Sequence, residues 1–341
     1  DKIPSRARRK ASVGDILFST VRPNQKHYGI IEAGTENLLV STGFTVVTVD
    51  TTIADPYFIY YYLTQSSVIE SLQAIAEQST STYPSIKPSD IEDIELDLPE
   101  LETQKKIGST LRMLDRKIAL NEEINDNLYA QAKAIFDNHF INIDAIPAGW
   151  RKGNLLDIAN YLNGLAMQKF RPQGHEIGLP VLKIKELRQG SCDDSSELCS
   201  LSIKPEYIIH NGDVVFSWSG SLLVDIWCGG TCGLNQHLFK VTSDVYDKWF
   251  YYLWTAHHLA RFIAIAADKA TTMGHIKREE LAKAEVLIPC EEDYTSFNSI
   301  MQPIFELIIS NRIESRKLAA LRDELLPKLM TGEIDVSDVQ L

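Results

Sequence analysis

The sequence predicts an α+β protein built from two similar mixed α/β domains, related by a pseudo-twofold axis and separated by two long antiparallel coiled-coil helices. Three observations carry that prediction. The turn and strand "VGDILFST" at 13–20 returns as "NGDVVFSW" at 211–218. Two long segments repeat their apolar residues at heptad spacing. The 341 residues, 44% hydrophobic and 23% charged, have the composition of a globular protein and exceed one ordinary domain.

Sliding the sequence on itself extends the opening match over more than a hundred residues. "DPYFIYYYL" (55–63) answers "DKWFYYLW" (247–254), and "STYPSIKPSDIEDIELDLPE" (81–100) answers "TTMGHIKREELAKAEVLIPC" (271–290). Ile86 then pairs with Ile276, Lys87 with Lys277 and Pro99 with Pro289. Two copies of such length mean two like domains, not a solenoid. Each copy reads in the same order. Short β-branched strands come first, "LLVSTGFTVVTVD" (38–50) or "LNQHLFKVTS" (234–243). An aromatic helix (57–77 or 248–267) follows, then a polar loop, a strand ending at Pro99 or Pro289, and a long helix.

The long helices have the most regular pattern. Ile107, Leu111, Leu114, Ile118, Asn121, Asn125, Leu128, Ala132 and Ile135 step by four and three, and so do Phe297, Met301, Ile304, Ile308, Asn311, Ser315, Leu318, Arg322 and Leu325. Polar residues in the middle of an a/d seam are a device for fixing register. The stretch 104–139 would span ~54 Å, more than a compact domain needs. The expected organisation is a first domain at 1–99, a long helix within 100–143, a second domain at 144–289, a second long helix within 290–332 and an acidic tail at 333–341. Trp150 stands 62 residues ahead of Gly212, whereas 13 residues precede Gly14. About 48 residues are therefore expected ahead of Asp1, for a chain of about 390–400.

The net charge of −12 argues against a polyanionic partner, but the charge is uneven. Lys2, Arg6, Arg8, Arg9, Lys10, Arg22 and Lys26 crowd the first thirty residues, and Lys169, Arg171, Lys183, Lys185 and Arg188 form a second basic set. No apolar run reaches the ~18 residues of a membrane span, and no apolar stretch follows the basic opening as in a signal peptide. A cytoplasmic protein is expected. The five cysteines fit free thiols in a reducing compartment. Cys228 and Cys232, with His237 near, supply metal-ligand atom types, but "CGGTC" is not a zinc spacing and no metal site is assigned.

No catalytic constellation stands out. G-x-S-x-G, Walker A and H-E-x-x-H are absent, as is the Asn/Asp-Pro-Pro-aromatic tetrapeptide of adenine methylases. No catalytic residue is assigned. What recurs is a polar loop of small residues with a basic neighbour. In the first copy it holds Ser19, Arg22, Asn24 and Lys26, then Ser81, Thr82, Tyr83 and Lys87. In the second copy it holds Ser217, Trp218 and Ser219, then Asn235, Gln236 and His237, then Thr271, Thr272, His275 and Lys277. With Lys183 and Lys185, these are the candidate DNA-binding residues, since Lys and Arg suit phosphate and Asn, Gln and Arg suit purine edges. On residues alone a two-domain coiled-coil adaptor that binds no DNA, or a methylase or nuclease with an unfamiliar active site, stays open.

The segment "LPELETQKKIGSTLRMLDRKIALNEEI" between the two variable domains and the ending "LRDELLPKLMTGEIDV" resemble the specificity subunit of type I DNA restriction-modification systems. "GDILFS", "GDVVFSW" and "STSTYPSIKPSDI" are similar to parts of that family's target-recognition domains, and the likeness runs from residue 11 to 336. The resemblance implies a non-catalytic subunit whose two domains each read half of a split double-stranded DNA site, with the helices as a ruler between them. It also implies two modification subunits, carrying S-adenosylmethionine and methylating adenine, docked on this chain, with restriction subunits joining the assembly. No cofactor is expected in this chain itself.

Overall fold

The computed structural model describes residues 5–34, 38–79, 83–268 and 275–337. The chain divides into two compact units, one made of Asp1–Ile118 with Lys317–Leu341 and the other of Ala119–Arg316. Each long helix therefore gives one segment to each unit.

In the first unit the strands β1 (Ala7–Lys10), β2 (Ile16–Ser19), β3 (Tyr28–Ile30), β4 (Leu39–Ser41) and β5 (Phe44–Val47) make two antiparallel sheets, β3-β2-β5 and β1-β4. Alternation in "ILFS" turns Ile16 and Phe18 onto Leu63, Ile69, Leu72, Ala76, Ile86 and Ile91, which form the core. Helix α1 (Pro56–Leu63) starts at Asp55, whose carboxylate accepts from Phe58 N at 2.9 Å, with Pro56 in the first turn. The single aromatic helix expected over 57–77 is broken, because α2 (Ser66–Glu77) begins after an extended Gln65. Thr64 Oγ1 bonds Tyr61 O and Gln65 Nε2 bonds Tyr62 O, so polar side chains take over the last carbonyls of α1. After α3 (Pro88–Glu92) the strand expected to end at Pro99 does not form: residues 94–98 join no sheet among the described residues and stay irregular. Helix α4 (Leu101–Phe136) follows and closes in a π-helical turn, Asp137–Ile141.

The second unit is richer. Its elements are β6 (Arg151–Asn154), α5 (Leu155–Ile158), β7 (Asn160–Asn163), β8 (Leu179–Leu182), α6 (Ile184–Gln189), β9 (Leu198–Cys199), β10 (Ile208–Ile209), β11 (Val214–Ser217), β12 (Leu223–Ile226), β13 (Cys232–Leu234) and β14 (Leu238–Thr242). Then come α7 (Lys248–Asp268), α8 (Arg278–Ala282), β15 (Glu285–Ile288) and α9 (Glu291–Met330). Sheet β12-β11-β14-β7 is antiparallel, β10-β13-β8-β9 contains one parallel pair, and β15 pairs with β6. Here the aromatic helix is unbroken: where the first copy has Thr64 and Gln65, this one has Ala256 and His257.

The repeated phrase is one turn built twice. Gly14 (φ 92°) and Gly212 (φ 87°) take left-handed conformations, and each is followed by an aspartate that caps the residue three before it. Ser12 N donates to Asp15 Oδ2 at 2.7 Å, and His210 N to Asp213 Oδ2 at 2.8 Å. Gly14 N bonds Ile31 O as Gly212 N bonds Trp227 O.

The long helices meet through the predicted seam. In the first unit Ile107 and Leu111 pack with Phe58, Tyr61, Leu329 and Val336, while Arg322 Nη1 reaches Asp115 Oδ1 at 2.5 Å and Tyr61 OH donates to Asp115 Oδ2 at 2.6 Å. In the second unit the seam turns polar. Asn121, fully buried, donates to Glu314 Oε2 (2.8 Å) and Ser315 Oγ (3.3 Å), and Asn311 Nδ2 donates to Asn125 Oδ1 (3.0 Å). The repeat maps Asn121 onto Asn311 and Asn125 onto Ser315, so the contacts 121–315 and 125–311 are one contact made twice. The helix segments run antiparallel within each unit, since residue numbers rise on one as they fall on the other. Arg312 Nη1 bonds Asp225 Oδ1 (2.8 Å) and Ile226 O (3.1 Å), and Arg316 Nη1 bonds Cys228 O (2.8 Å), tying α9 to the end of β12 and the turn after it. Among the described residues no helix is long and apolar enough to cross a membrane.

Two substitutions test this packing. Replacing Asn121 with Ala removes a fully buried amide and its hydrogen bonds to Glu314 and Ser315, and should lower stability by about 1–3 kcal/mol in urea unfolding with an unchanged m-value. At Gly108 an added Cβ would lie 2.6 Å from Asp55 Oδ1 and 3.1 Å from Phe58 N, at the start of α1. Gly108→Ala should therefore destabilise the first unit by about 1–3 kcal/mol on the same measurement, although Ala favours a helix by about 1 kcal/mol.

Candidate nucleic-acid interface

The recurrent polar loops come together in the same way in both units. Beyond β2, Thr20 O accepts from Ile86 N at 2.9 Å, and beyond β11, Trp218 O accepts from Ile276 N at 3.1 Å. Val21 bridges Ser85 antiparallel, as Ser219 bridges His275. A short backbone ladder thus lays the loop after the central strand beside the loop that precedes α3 or α8. The strand's last serine shapes this junction in each copy. Ser19 Oγ donates to Val21 O and Ser217 Oγ to Ser219 O, both at 3.1 Å, and both serines are buried. Ser19 and Ser217 are thereby corrected: expected as contact residues, they spend their hydroxyls inside the turn.

In the first unit Arg22 has φ 51° and ψ 71°, and Lys26 φ 55°, on either side of the turn Pro23–Gln25. They are the two non-glycine residues with positive φ among those described. Arg22 N donates to Pro84 O (2.9 Å) and its guanidinium carbon lies 5.0 Å from the Tyr83 ring centroid. Asn24 is exposed, with its backbone N held by Gln73 Oε1 at 3.2 Å. Lys26 and Lys87 are exposed and carry no ion pair among the described residues.

In the second unit an aromatic and imidazole group occupies the junction. Trp218 Nε1 donates to Asn163 Oδ1 (2.9 Å), and its ring lies 6.2 Å from His237 and 6.1 Å, edge-on, from His275. Ser219 Oγ bonds His237 Nδ1 at 2.9 Å, and Gln236 Nε2 lies 3.4 Å from His237 Nε2. Asn235 is buried. Its Oδ1 accepts from His237 N (3.2 Å), so it shapes the turn that presents Gln236 and His237. Ser219 is likewise buried, leaving half-buried Trp218, Gln236 and His237 with exposed His275 and Lys277 toward solvent.

Lys183 and Lys185, expected as DNA-binding residues, each have an acidic neighbour. Lys183 Nζ pairs with Glu197, which Arg171 Nη2 also holds at 2.5 Å, and Lys185 Nζ lies 2.9 Å from Ser195 Oγ and 3.4 Å from Asp193. The Lys183 and Arg171 hydrogen bonds hold the Glu197 carboxyl below its ordinary range. These pairs are exposed and screened by solvent, so a phosphate can compete for the lysines only by displacing a carboxylate. Ser81, Thr82, Thr271 and Thr272 lie outside the described residues. Asn163 and Gly164 also belong to this junction, although the polar-loop pattern does not single them out. At Gly164 a Cβ would fall 2.2 Å from Asn235 O, so only glycine lets β7 run this close to the Asn235 turn. The "NG" dipeptide at the end of β7 is the signal that marks them.

Residues 10–130 match the model of the type I restriction modification DNA specificity domain. The chain is 22% identical over 408 residues to the HindI type I restriction enzyme specificity subunit of Haemophilus influenzae, covering 97% of this chain and 89% of that protein. It is 26% identical over 352 residues to the MjaIX specificity subunit of Methanocaldococcus jannaschii, covering 96% and 79%. Among solved structures, the S subunit of a type I restriction-modification system from M. genitalium shares the fold, with a TM-score of 0.55 at 15% identity over 93% of this chain and 82% of that one. With two α/β units and two long helices, the chain is similar over nearly its whole length to type I restriction specificity subunits, and residues 10–130 carry the match to their DNA specificity domain.

Proposed function

We propose that this chain is the non-catalytic, DNA-reading subunit of a type I restriction-modification complex, and that each unit reads one half of a bipartite double-stranded site. The observation that carries the reading is the duplicated junction: the same backbone ladder, serine turn and following lysine appear in both units, at Thr20–Ile86–Lys87 and at Trp218–Ile276–Lys277. Lysines at the junction position the duplex through phosphate, and neighbouring side chains read base edges. Two methyltransferase subunits, which bring S-adenosylmethionine and extrude the target adenine, dock on this chain in the assembled enzyme, and restriction subunits join them in the cytoplasm. The chain's own part is to bind, orient and space.

Selection from a randomised duplex pool, with the methyltransferase subunits present, tests the reading: a motif in two halves supports it. No selected motif would leave a coiled-coil adaptor, and metal-dependent cleavage or S-adenosylmethionine binding by the isolated chain would make it an enzyme. Lys87→Ala and Lys277→Ala should each weaken binding and lower the slope of log K against log[salt] by roughly 0.9, the loss of one phosphate contact. Titrations at four or more salt concentrations measure this, and an unchanged slope in both variants removes these lysines from the DNA surface.

A further inference from the structure

We propose that Arg22 is the base-reading residue of the first unit and that the base it reads is guanine. The inference rests on the DNA-recognition reading above and adds to it a residue, a contact geometry and a base. The backbone comes first. A residue ahead of proline is pushed toward extended conformations, yet Arg22, followed by Pro23, sits in the left-handed region at φ 51°. That conformation is sparsely populated for a side chain with a Cβ and persists where the surroundings over-determine it, typically at functional positions. Here it is clamped by Arg22 N on Pro84 O and by Gln25 N on Arg22 O, both at 2.9 Å. The clamp joins both loops of the junction and sets where the side chain leaves the surface.

The side chain is held but not consumed. Its guanidinium carbon is 5.0 Å from the Tyr83 ring centroid, and that ring is 56% exposed. A cation over an aromatic ring offers its face, while the N–H donors of a guanidinium lie in its plane. Among the described residues the Arg22 guanidinium has no hydrogen bond or ion pair, so the in-plane fork remains available. Two parallel donors match O6 and N7 of guanine. Adenine puts a donor beside N7 and cannot accept both. Stacking on Tyr83 pre-organises the fork, which reduces the rotamer freedom lost on binding. Lys26 and Lys87 supply the exposed point charges that phosphate needs, so the planar, stacked cation has a separate task.

The test uses the full chain assembled with its methyltransferase subunits and a randomised duplex pool, comparing the unmodified chain with Arg22→Lys, Arg22→Ala and Tyr83→Phe. The expected result is one G·C position, in one half of the motif, whose preference falls between about 5-fold and about 150-fold in Arg22→Lys and Arg22→Ala. The other half should be unchanged, the salt slope should hold in Arg22→Lys, and Tyr83→Phe should keep the preference. An Arg22→Lys motif identical to the original would overturn the inference by making Arg22 a simple charge, as would selectivity lost in both halves together. If the unmodified complex selects no motif, the proposed function itself fails, and this inference with it.

Discussion

The buried amides in the helix seam are the constraint on which the rest of the structure depends. Helices of 36 and 40 residues joined only by Ile and Leu could slip past each other by a heptad at little cost. Asn121 prevents this. In register it meets Ser315 and Glu314; one heptad out it would face Ile308, with a buried amide left unpaired. Each compact unit borrows a segment from both helices, so register decides which residues the unit contains. The Arg322–Asp115–Tyr61 chain of the first unit and the Arg312 and Arg316 anchors of the second follow from it.

Two copies of one plan have kept their backbone frame and exchanged their side chains. The Gly-Asp turn, the serine turn and the ladder to Ile86 or Ile276 superpose in hydrogen-bond pattern. What stands on the frame differs. One unit has a strained arginine over a tyrosine, the other an indole between two imidazoles. The frame's interactions are backbone bonds and bonds of the Asp and Ser side chains kept in both copies, so the exposed positions could change without unfolding the turn. Such a division suits a protein whose two halves need the same docking geometry and different sequence preferences.

How much of this was legible in the sequence depends on the range of the interaction. The helix seam was legible because heptad periodicity is local, and Asn121 and Asn311 stood out in it as polar residues at apolar positions. The Gly-Asp turn was legible because it was written twice. The strand expected to end at Pro99 failed because strand formation needs a partner, and its counterpart β15 has β6. The break between α1 and α2 lies in the competition of Thr64 and Gln65 side chains for helix carbonyls, which aromatic periodicity masks. The pairing of Lys183 with Glu197, and the burial of Ser19 and Ser217, are tertiary facts with no sequence signature at all.

The same distinction of range resolves the apparent conflict between a chain of net charge −12 and a nucleic-acid partner. At physiological ionic strength exposed charges separated by more than about 8 Å are largely screened, so a phosphate responds to its neighbours and not to the total. The second basic set loses much of its local field to Glu197 and Asp193, whatever its count of cations suggests. Arg22, Lys26 and Lys87 of the first unit and Lys277 of the second have no carboxylate within ion-pair distance among the described residues. A small number of uncompensated cations at two equivalent junctions then exerts a stronger local pull than a larger, neutralised cluster. The acidic surplus sits elsewhere, much of it along the long helices in exposed residues such as Glu122, Glu123, Glu291 and Glu292, apart in sequence from the two junctions and limited in reach by the same screening.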